Sequence, residues 1–395
     1  MRIPLILFFT VLTVSIISDI IIYRQIRLAK RQWLKTMFIV VSAILYVLLF
    51  LSLQFAKSTL SGSSFYWIMW MLFTFASFFI SKLFYIALYT VAQAPRIWHR
   101  QPWTIVSKCG CWLSFIIFFI LWWSALITPK QVNIEEITIE SSRLPKEFDG
   151  YRIIQFSDLH VGTFNNTDIV DGIVEEINAL NPDLIVFTGD IVNRQSAELT
   201  PYISSLRQLK AKDGIMSILG NHDYGDYYKW NSTFSKQANM SMLKSIQCDS
   251  LNWTLLLNET KSIKRGNHAI KVIGVENWGE HPFPQYGNLN ASYPDLNDNH
   301  FKILLSHNPN HWDAVVTKDS NIDLTLSGHT HAMQIMFSLG KYKFSPSALR
   351  YKYWQGLHTK GEQSLYVNIG CGEVAIPMRL GATPELTLIT LKCKQ

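Results

Sequence analysis

The chain has 395 residues, 48% of them hydrophobic, and a formal net charge of +7. The charge is split unevenly: residues 1–130 hold twelve Lys/Arg and one acid, Asp19, whereas residues 131–395 hold twenty-four Lys/Arg and twenty-eight Asp/Glu, a net of −4. This excludes a large basic face on the polar part and with it a nucleic-acid partner, since phosphate binding needs clustered cations.

Length allows about two or three domains of roughly 150 residues. A bilayer-spanning helix needs about 20 mostly apolar residues, and the first 130 residues contain four such stretches, at 4–23, 36–55, 65–92 and 109–128. The first lacks an A-x-A-like cleavage site and is followed by three more, so it reads as a retained helix rather than a signal peptide. Arg24, Arg27, Lys30, Arg31 and Lys35 separate the first two stretches, and Arg96, Arg100 and Lys108 separate the last two; the amino terminus offers Arg2, and only Lys57 separates the second and third. Positive-inside bias puts the basic loops in the cytoplasm and the C-terminal part outside it, at an inner or plasma membrane. Asp19 and Lys82 lie within the apolar stretches; they read either as a snorkelling or intrabundle pair, or as a headgroup or substrate site.

From residue 131 apolar runs shorten and acids appear, so the expected domains are 1–130 and 131–395. Strand-like runs at 151–156, 183–187, 215–219, 255–257, 270–274, 301–305, 324–327, 364–369 and 386–391 alternate with helical patterns at 168–180 and 201–209, which predicts an α/β layered domain. The cysteines (Cys109, Cys111, Cys248, Cys371 and Cys393) show no knuckle spacing and no disulfide framework.

Five blocks carry the chemistry. Ser157-Asp158-Leu159-His160 follows the first of these strands, Thr188-Gly189-Asp190 the second and Gly220-Asn221-His222-Asp223 the third. Ser306-His307-Asn308-Pro309 and Ser327-Gly328-His329-Thr330-His331 follow two later ones. Residues just past the carboxyl ends of strands converge on one crevice in open α/β sheets. Each alone has a plain explanation, an Asp as a helix cap or turn former, a His as an ordinary surface or core residue. Five of eleven histidines fall in these blocks, however, and together Asp, Asn and His supply a mixed oxygen and nitrogen ligand set for divalent metals.

The series D-x-H, G-D, G-N-H-[DE], single His, G-H-x-H resembles the calcineurin-like metallophosphoesterase family in full and in order. Leu144-Pro145, Phe148, Gly150, Arg379-Leu380-Gly381 and Pro384-Glu385 extend the resemblance to a membrane-associated bacterial subgroup over residues 131–395. The resemblance implies a two-sheet α/β-β/α sandwich and two divalent cations, with Mn, Fe or Zn suiting the donors. One would be held by Asp158, His160, Asp190 and His331, the other by Asp190, Asn221, His307 and His329, with Asp190 bridging. It implies phosphate-ester hydrolysis by a hydroxide that the two metals generate, with His222 protonating the leaving oxygen and Asp223 orienting the His222 imidazole.

Membrane tethering favours a lipid-linked substrate by effective concentration. An anchored nucleotide phosphodiesterase and a non-catalytic receptor for a phosphorylated ligand are the alternatives. One departure stands out: Ala332-Met333-Gln334 follows the last histidine, where the subgroup often has Gly-Gly-Gln, and should alter substrate fit more than metal binding. Six N-x-[ST] triplets, at Asn165, Asn231, Asn239, Asn252, Asn258 and Asn290, read as chance in a bacterial-type chain. The aromatic stretch 224–230 reads either as a substrate cover or as packing, and the basic, aromatic run 341–354 as a segment that touches the membrane surface.

Overall fold

The computed structural model describes residues 5–27, 31–56, 62–281, 283–340 and 342–394. Arg2, Lys30 and Lys57, the start of the first apolar stretch at Pro4, and Lys341 lie outside the described residues. The chain divides into two compact units, one holding four long helices and the other the sheets.

The helices are α1 (Leu5–Ile26), α2 (Gln32–Ala56), α3 (Gly62–Gln93) and α4 (Thr104–Leu126). All four are long and apolar enough to cross a membrane. They are apolar around their whole circumference, and Phe50, Trp67, Phe119 and Trp123 point outward, as in a helix surrounded by hydrocarbon rather than water. Asp19 and Lys82 form an intrabundle pair, Lys82 Nζ lying 2.6 Å from Asp19 Oδ1. The second carboxylate oxygen accepts from the Tyr46 hydroxyl at 2.7 Å. The pair thus joins α1 to α3 and, through Tyr46, to α2, and neither charge is left uncompensated inside the bundle.

In the other unit, fourteen strands are described: β1 (Asn133–Ser141), β2 (Arg152–Phe156), β3 (Leu184–Phe187), β4 (Ile215–Ser217), β5 (Thr254–Leu255), β6 (Glu259–Arg265), β7 (His268–Gly274), β8 (Phe301–Leu305), β9 (Leu324–Ser327), β10 (Phe337–Leu339), β11 (Tyr342–Phe344), β12 (Gly356–Lys360), β13 (Gln363–Val367) and β14 (Glu385–Cys393). One six-stranded sheet runs β1-β14-β2-β3-β4-β5 and the second β12-β13-β9-β8-β7-β6; β10 and β11 pair only with each other. Both large sheets are mixed. β2, β3, β4 and β5 run parallel in the first, and β7, β8, β9 and β13 in the second.

Strand alternation explains the layers. Ile153, Leu184, Val186 and Met216 from the first sheet meet Val272, Ile303, Leu305 and Leu326 from the second in a dry interlayer core. Their neighbours Ile154, Phe156, Ile185 and Phe187 point the other way and pack beneath α5 (Asp168–Ala179). In α5, Val170, Ile173, Val174 and Ile177 fall on one face at the spacing of a 3.6-residue helix. On the far side of the second sheet, Ile273, Leu304, Leu365 and Val367 pack against Trp312 and Val316. The two-sheet α/β sandwich expected from the sequence is the fold observed.

The predicted strands at 151–156, 183–187, 270–274, 301–305, 324–327, 364–369 and 386–391 correspond to β2, β3, β7, β8, β9, β13 and β14. The helical segment 201–209 is instead a 3-10 turn, Ser196–Tyr202, followed by the single turn α6 (Ile203–Leu206). Pro201 inside it removes a backbone donor and favours the tighter, shorter form. Strands β1, β6 and β12 and helix α7 (Thr233–Ser245) are not apparent from periodicity. β1, β6 and β12 are outermost strands, so one side of each is wet and its apolar alternation is weak.

Candidate metal centre

All five blocks end at the same edge of the sandwich. β2 and β3 pair in register with Phe156 opposite Phe187, which brings blocks one and two side by side. Asp158 N–H donates to Gly189 O at 2.9 Å and His160 N–H to Asp190 O at 3.1 Å. The second sheet is fastened to the first just below the site. There the buried Gln155 of β2 donates to the Ser327 carbonyl at 2.9 Å, and Cys371 N–H donates to Ser157 O at 2.9 Å.

The geometry forms two donor groups sharing one residue. In the first, His331 Nε2 lies 3.1 Å from Asp158 Oδ1 and 3.1 Å from His160 Nε2. In the second, His307 Nε2 lies 3.2 Å from Asn221 Oδ1, 3.2 Å from His329 Nδ1 and 3.2 Å from Asp190 Oδ2. The same Asp190 Oδ2 is 3.6 Å from His160 Nε2 in the first group. All seven residues expected as ligands therefore converge, and Asp190 stands between the two groups. Asp158, His160, Asp190, His307 and His331 are buried.

Electrostatics follow from that crowding. Burial alone would raise both carboxyls, but His331 and His307 hold Asp158, and His307 and His222 hold Asp190, below the usual carboxylate range. Burial works against charge on His307, yet Asp190 and Asp158 push it up to about 10. His160 and His329 are lowered by burial, His329 to about 3.

This donor set fits divalent cations. Imidazole nitrogens face one another at 3.1–3.2 Å around two ionised carboxylates. Lone pairs so aimed are better satisfied by cations than by shared protons.

Local backbone supports the reading. Asp158, His160, Asp190, His329 and His331 all have positive φ, between 45° and 75°. Left-handed backbone at non-glycine residues costs of order 1–2 kcal/mol each and clusters at functional sites. A Cβ at Gly220 would overlap the Asp190 carboxylate, and one at Gly328 that of Asp158, so the glycines preceding Asn221 and His329 make room for those carboxylates. The left-handed run continues through Ala332, Met333 and Gln334, at φ 50°, 47° and 59°. Ala332 and Met333 thus keep a conformation glycine would adopt without cost.

His222 donates its backbone N–H to Asp190 Oδ1 at 2.7 Å, and its ring Nδ1 lies 2.7 Å from the Asn193 carbonyl. A carbonyl only accepts, so Nδ1 carries a proton and Nε2 is the atom free to exchange one. Asp223 is a correction. It does not touch the His222 imidazole; its buried carboxylate accepts from the N–H groups of Asp190, Ile191, Val192 and Gly220 at 2.8–3.2 Å. Four convergent backbone donors bind a carboxylate more favourably than one imidazole N–H does, and the result fixes the Asp190 loop. Burial and the Asp190 charge push Asp223 up to about 7. Asp223→Ala should therefore lower unfolding stability by about 3 kcal/mol or more, because it strands several buried donors. Thermal and denaturant unfolding would check this; a loss under about 1 kcal/mol alongside impaired turnover would restore a chemical role.

Several residues at the site were given no role in it from the sequence. Thr188 O lies 2.8 Å from His307 Nδ1, which keeps Nε2 free to ligate. Glu198 accepts from Asn193 N–H at 2.7 Å and holds the carbonyl that orients His222. Tyr351 places its hydroxyl 3.0 Å from His329 Nε2, and the buried Arg379 reaches 3.3 Å from His331 Nδ1. Thr188 sits inside the second block and Arg379 inside the Arg379-Leu380-Gly381 stretch that extends the resemblance, so both were within reach; Tyr351 carries no spacing signal. The aromatic stretch divides: Tyr227 stacks on His222, ring centroids 4.2 Å apart, whereas Tyr224 is buried against Glu276. Above the donors is a cavity of about 180 Å³, lined among others by Asp190, His222, Tyr227, Trp278, Arg350 and Tyr351.

The fold and donor groups together define a metallophosphoesterase-type domain. Residues 151–333 match the model of the calcineurin-like phosphoesterases. The chain is 33% identical over 272 residues to the metallophosphoesterase YkuE of Bacillus subtilis, covering 67% of this chain and 87% of that one. It is 26% identical over 406 residues to the metallophosphoesterase Cj0846 of Campylobacter jejuni, with 99% of each chain covered. It is 28% identical over 308 residues to the UDP-2,3-diacylglucosamine pyrophosphatase LpxG of Chlamydia trachomatis, covering 65% of this chain and 89% of that one. The chain belongs to the calcineurin-like phosphoesterase family.

Proposed function

We propose that this chain is a membrane-anchored hydrolase that cleaves a phosphate ester at a pair of divalent cations. The observation that carries the reading is the position of Asp190 Oδ2, 3.6 Å from His160 Nε2 and 3.2 Å from His307 Nε2. One carboxylate so placed serves two donor groups. Asp158, His160, Asp190 and His331 would hold one cation, and Asp190, Asn221, His307 and His329 the other. When bound, the cations supply Lewis-acid charge for the phosphoryl oxygens and for an attacking water.

The chain's own groups supply the rest. His222, its tautomer fixed by Asn193, protonates the leaving oxygen through Nε2. Tyr227 stacks on that ring and holds its plane. Arg350, at the cavity wall, adds positive charge for a phosphate. No protein nucleophile is required.

Residues 1–130 form the anchor and residues 131–395 the catalytic domain. Arg24, Arg31 and Lys35, with Arg96, Arg100 and Lys108, favour basic connections in the cytoplasm and a catalytic domain outside it. A lipid-linked substrate is supported by the anchor and by the similarity to LpxG, named for a diacylated sugar nucleotide.

The test is metal analysis of the purified full-length protein together with a substrate panel. Lipid-linked phosphoesters in mixed micelles should be turned over at least about tenfold faster than cyclic nucleotides, by effective concentration, and chelation should abolish both activities. A preference for cyclic nucleotides would favour the anchored nucleotide phosphodiesterase. Metal-loaded protein inert toward every phosphoester would leave a binding protein.

A further inference from the structure

Hairpin β10–β11 has its polarity inverted. Its register pairs Phe337 with Phe344, Ser338 with Lys343 and Leu339 with Tyr342. Directly paired residues and those two apart share a face in an antiparallel pair, so Phe337, Leu339, Tyr342 and Phe344 line one face and Ser338 and Lys343 the other. A hairpin lying on a domain ordinarily turns its apolar face inward. Here Lys343 is the residue that reaches the domain, its Nζ 3.2 Å from Gln355 Oε1. Phe337, Leu339 and Phe344 stay 57%, 74% and 57% exposed, and Leu349 just beyond the hairpin 93%. A two-stranded ribbon that buries no apolar face is marginal in water.

Both feet of the hairpin stand on the metal centre. Its first strand begins six residues after His331, and beyond its second strand Ser345 Oγ donates to Ala332 O at 2.6 Å. The chain then passes Leu349 to Arg350 and Tyr351, which line the cavity. Residues 337–354 contain Lys341, Lys343, Arg350 and Lys352 and not one acid. Lys352 is paired with Asp313 at 2.9 Å and Lys343 lies 3.9 Å from Glu135, whereas no carboxylate lies within 4.0 Å of Arg350 among the described residues. An exposed aromatic and aliphatic face beside a cation without a carboxylate partner, Arg350, matches an anionic bilayer surface, where apolar side chains enter the acyl boundary and basic ones meet headgroups.

We infer that β10–β11 is a bilayer-docking hairpin that seats the mouth of the metal cavity at a lipid surface. The inference rests on the reading of the chain as membrane-anchored and gives it a geometric consequence: a phosphate at headgroup depth reaches the centre without leaving the membrane.

Two probes test it on the full-length protein reconstituted in vesicles of phosphatidylcholine and phosphatidylglycerol. With Cys109, Cys111, Cys248 and Cys393 replaced by serine, Leu339→Cys or, separately, Val47→Cys on α2 carries an environment-sensitive fluorophore. Doxyl-labelled phosphatidylcholine should quench the probe at 339 by about twofold or more, as for a side chain in the acyl boundary, and iodide in the buffer should have little effect. Lipid quenching at 47 with iodide quenching at 339 overturns the docking hairpin and leaves the anchor intact. A probe at 339 shielded from both quenchers overturns it as well, in favour of a protein partner. Absence of lipid quenching at 47 overturns the anchor and the inference with it.

Discussion

Asp190→Ala is expected to abolish turnover, by on the order of 10³ or more, and to strip the protein of metal. The carboxylate is the group common to both donor clusters, and it is held in place with unusual care. Its backbone sits at φ 60°, Gly220 is packed against it, and its Oδ1 accepts from His222 N–H at 2.7 Å. Without it, His307 loses its largest favourable charge contact and two cations would repel across an unbridged gap. Elemental analysis alongside turnover separates the causes. Asp190→Asn, which keeps an acceptor for the His222 N–H but removes the charge, should also lose metal while retaining most of the stability. Full metal content and normal turnover in either variant would remove the bridging assignment.

His222→Ala should instead leave metal content unchanged and reduce turnover by about 10²–10⁴, the usual worth of a positioned general acid. The loss should depend on the leaving group. Alkyl esters, whose alkoxide must be protonated, should feel nearly all of it, and nitrophenyl esters, which leave as stable anions, little. The ring is oriented by the Asn193 carbonyl at 2.7 Å and backed by Tyr227, so Nε2 is the atom available to exchange a proton. His222 also lies within reach of His160 and Asp190 in a third possible donor group. Metal loss in His222→Ala would make it a ligand, and equal losses on both ester classes would deny it the acid role.

Much of the site was legible because its signals are local. Each ligand block follows a buried parallel strand, and a buried parallel strand such as 153–156 or 303–305 is a nearly unbroken apolar run. Asp, His and Asn straight after such runs have few structural reasons to recur five times in order. The outermost strands β1, β6 and β12 were invisible because half-wet strands carry a weak pattern. Hairpin β10–β11 was missed for a different reason: its alternation is present, but its apolar face stays largely exposed.

Asp223 marks the limit of motif reasoning. Its place beside His222 in the chain suggests a partnership with the imidazole, yet adjacent residues diverge at a turn. The carboxylate turns inward to four backbone donors of the neighbouring loop while the ring faces the cavity.

The sequence by itself determined the four membrane-length helices, the α/β layering and the strand-then-block order, because period, apolar run length and residue type act over short stretches of chain; the family resemblance supplied the seven candidate ligands. Only the tertiary structure decided that Asn193 rather than Asp223 orients His222, that Tyr351 and Arg379 adjoin His329 and His331, and that the hairpin turns its apolar face outward. Those outcomes depend on which loops meet at the edge of two stacked sheets, and on where buried polar groups find partners, neither of which neighbouring residues along the chain can specify.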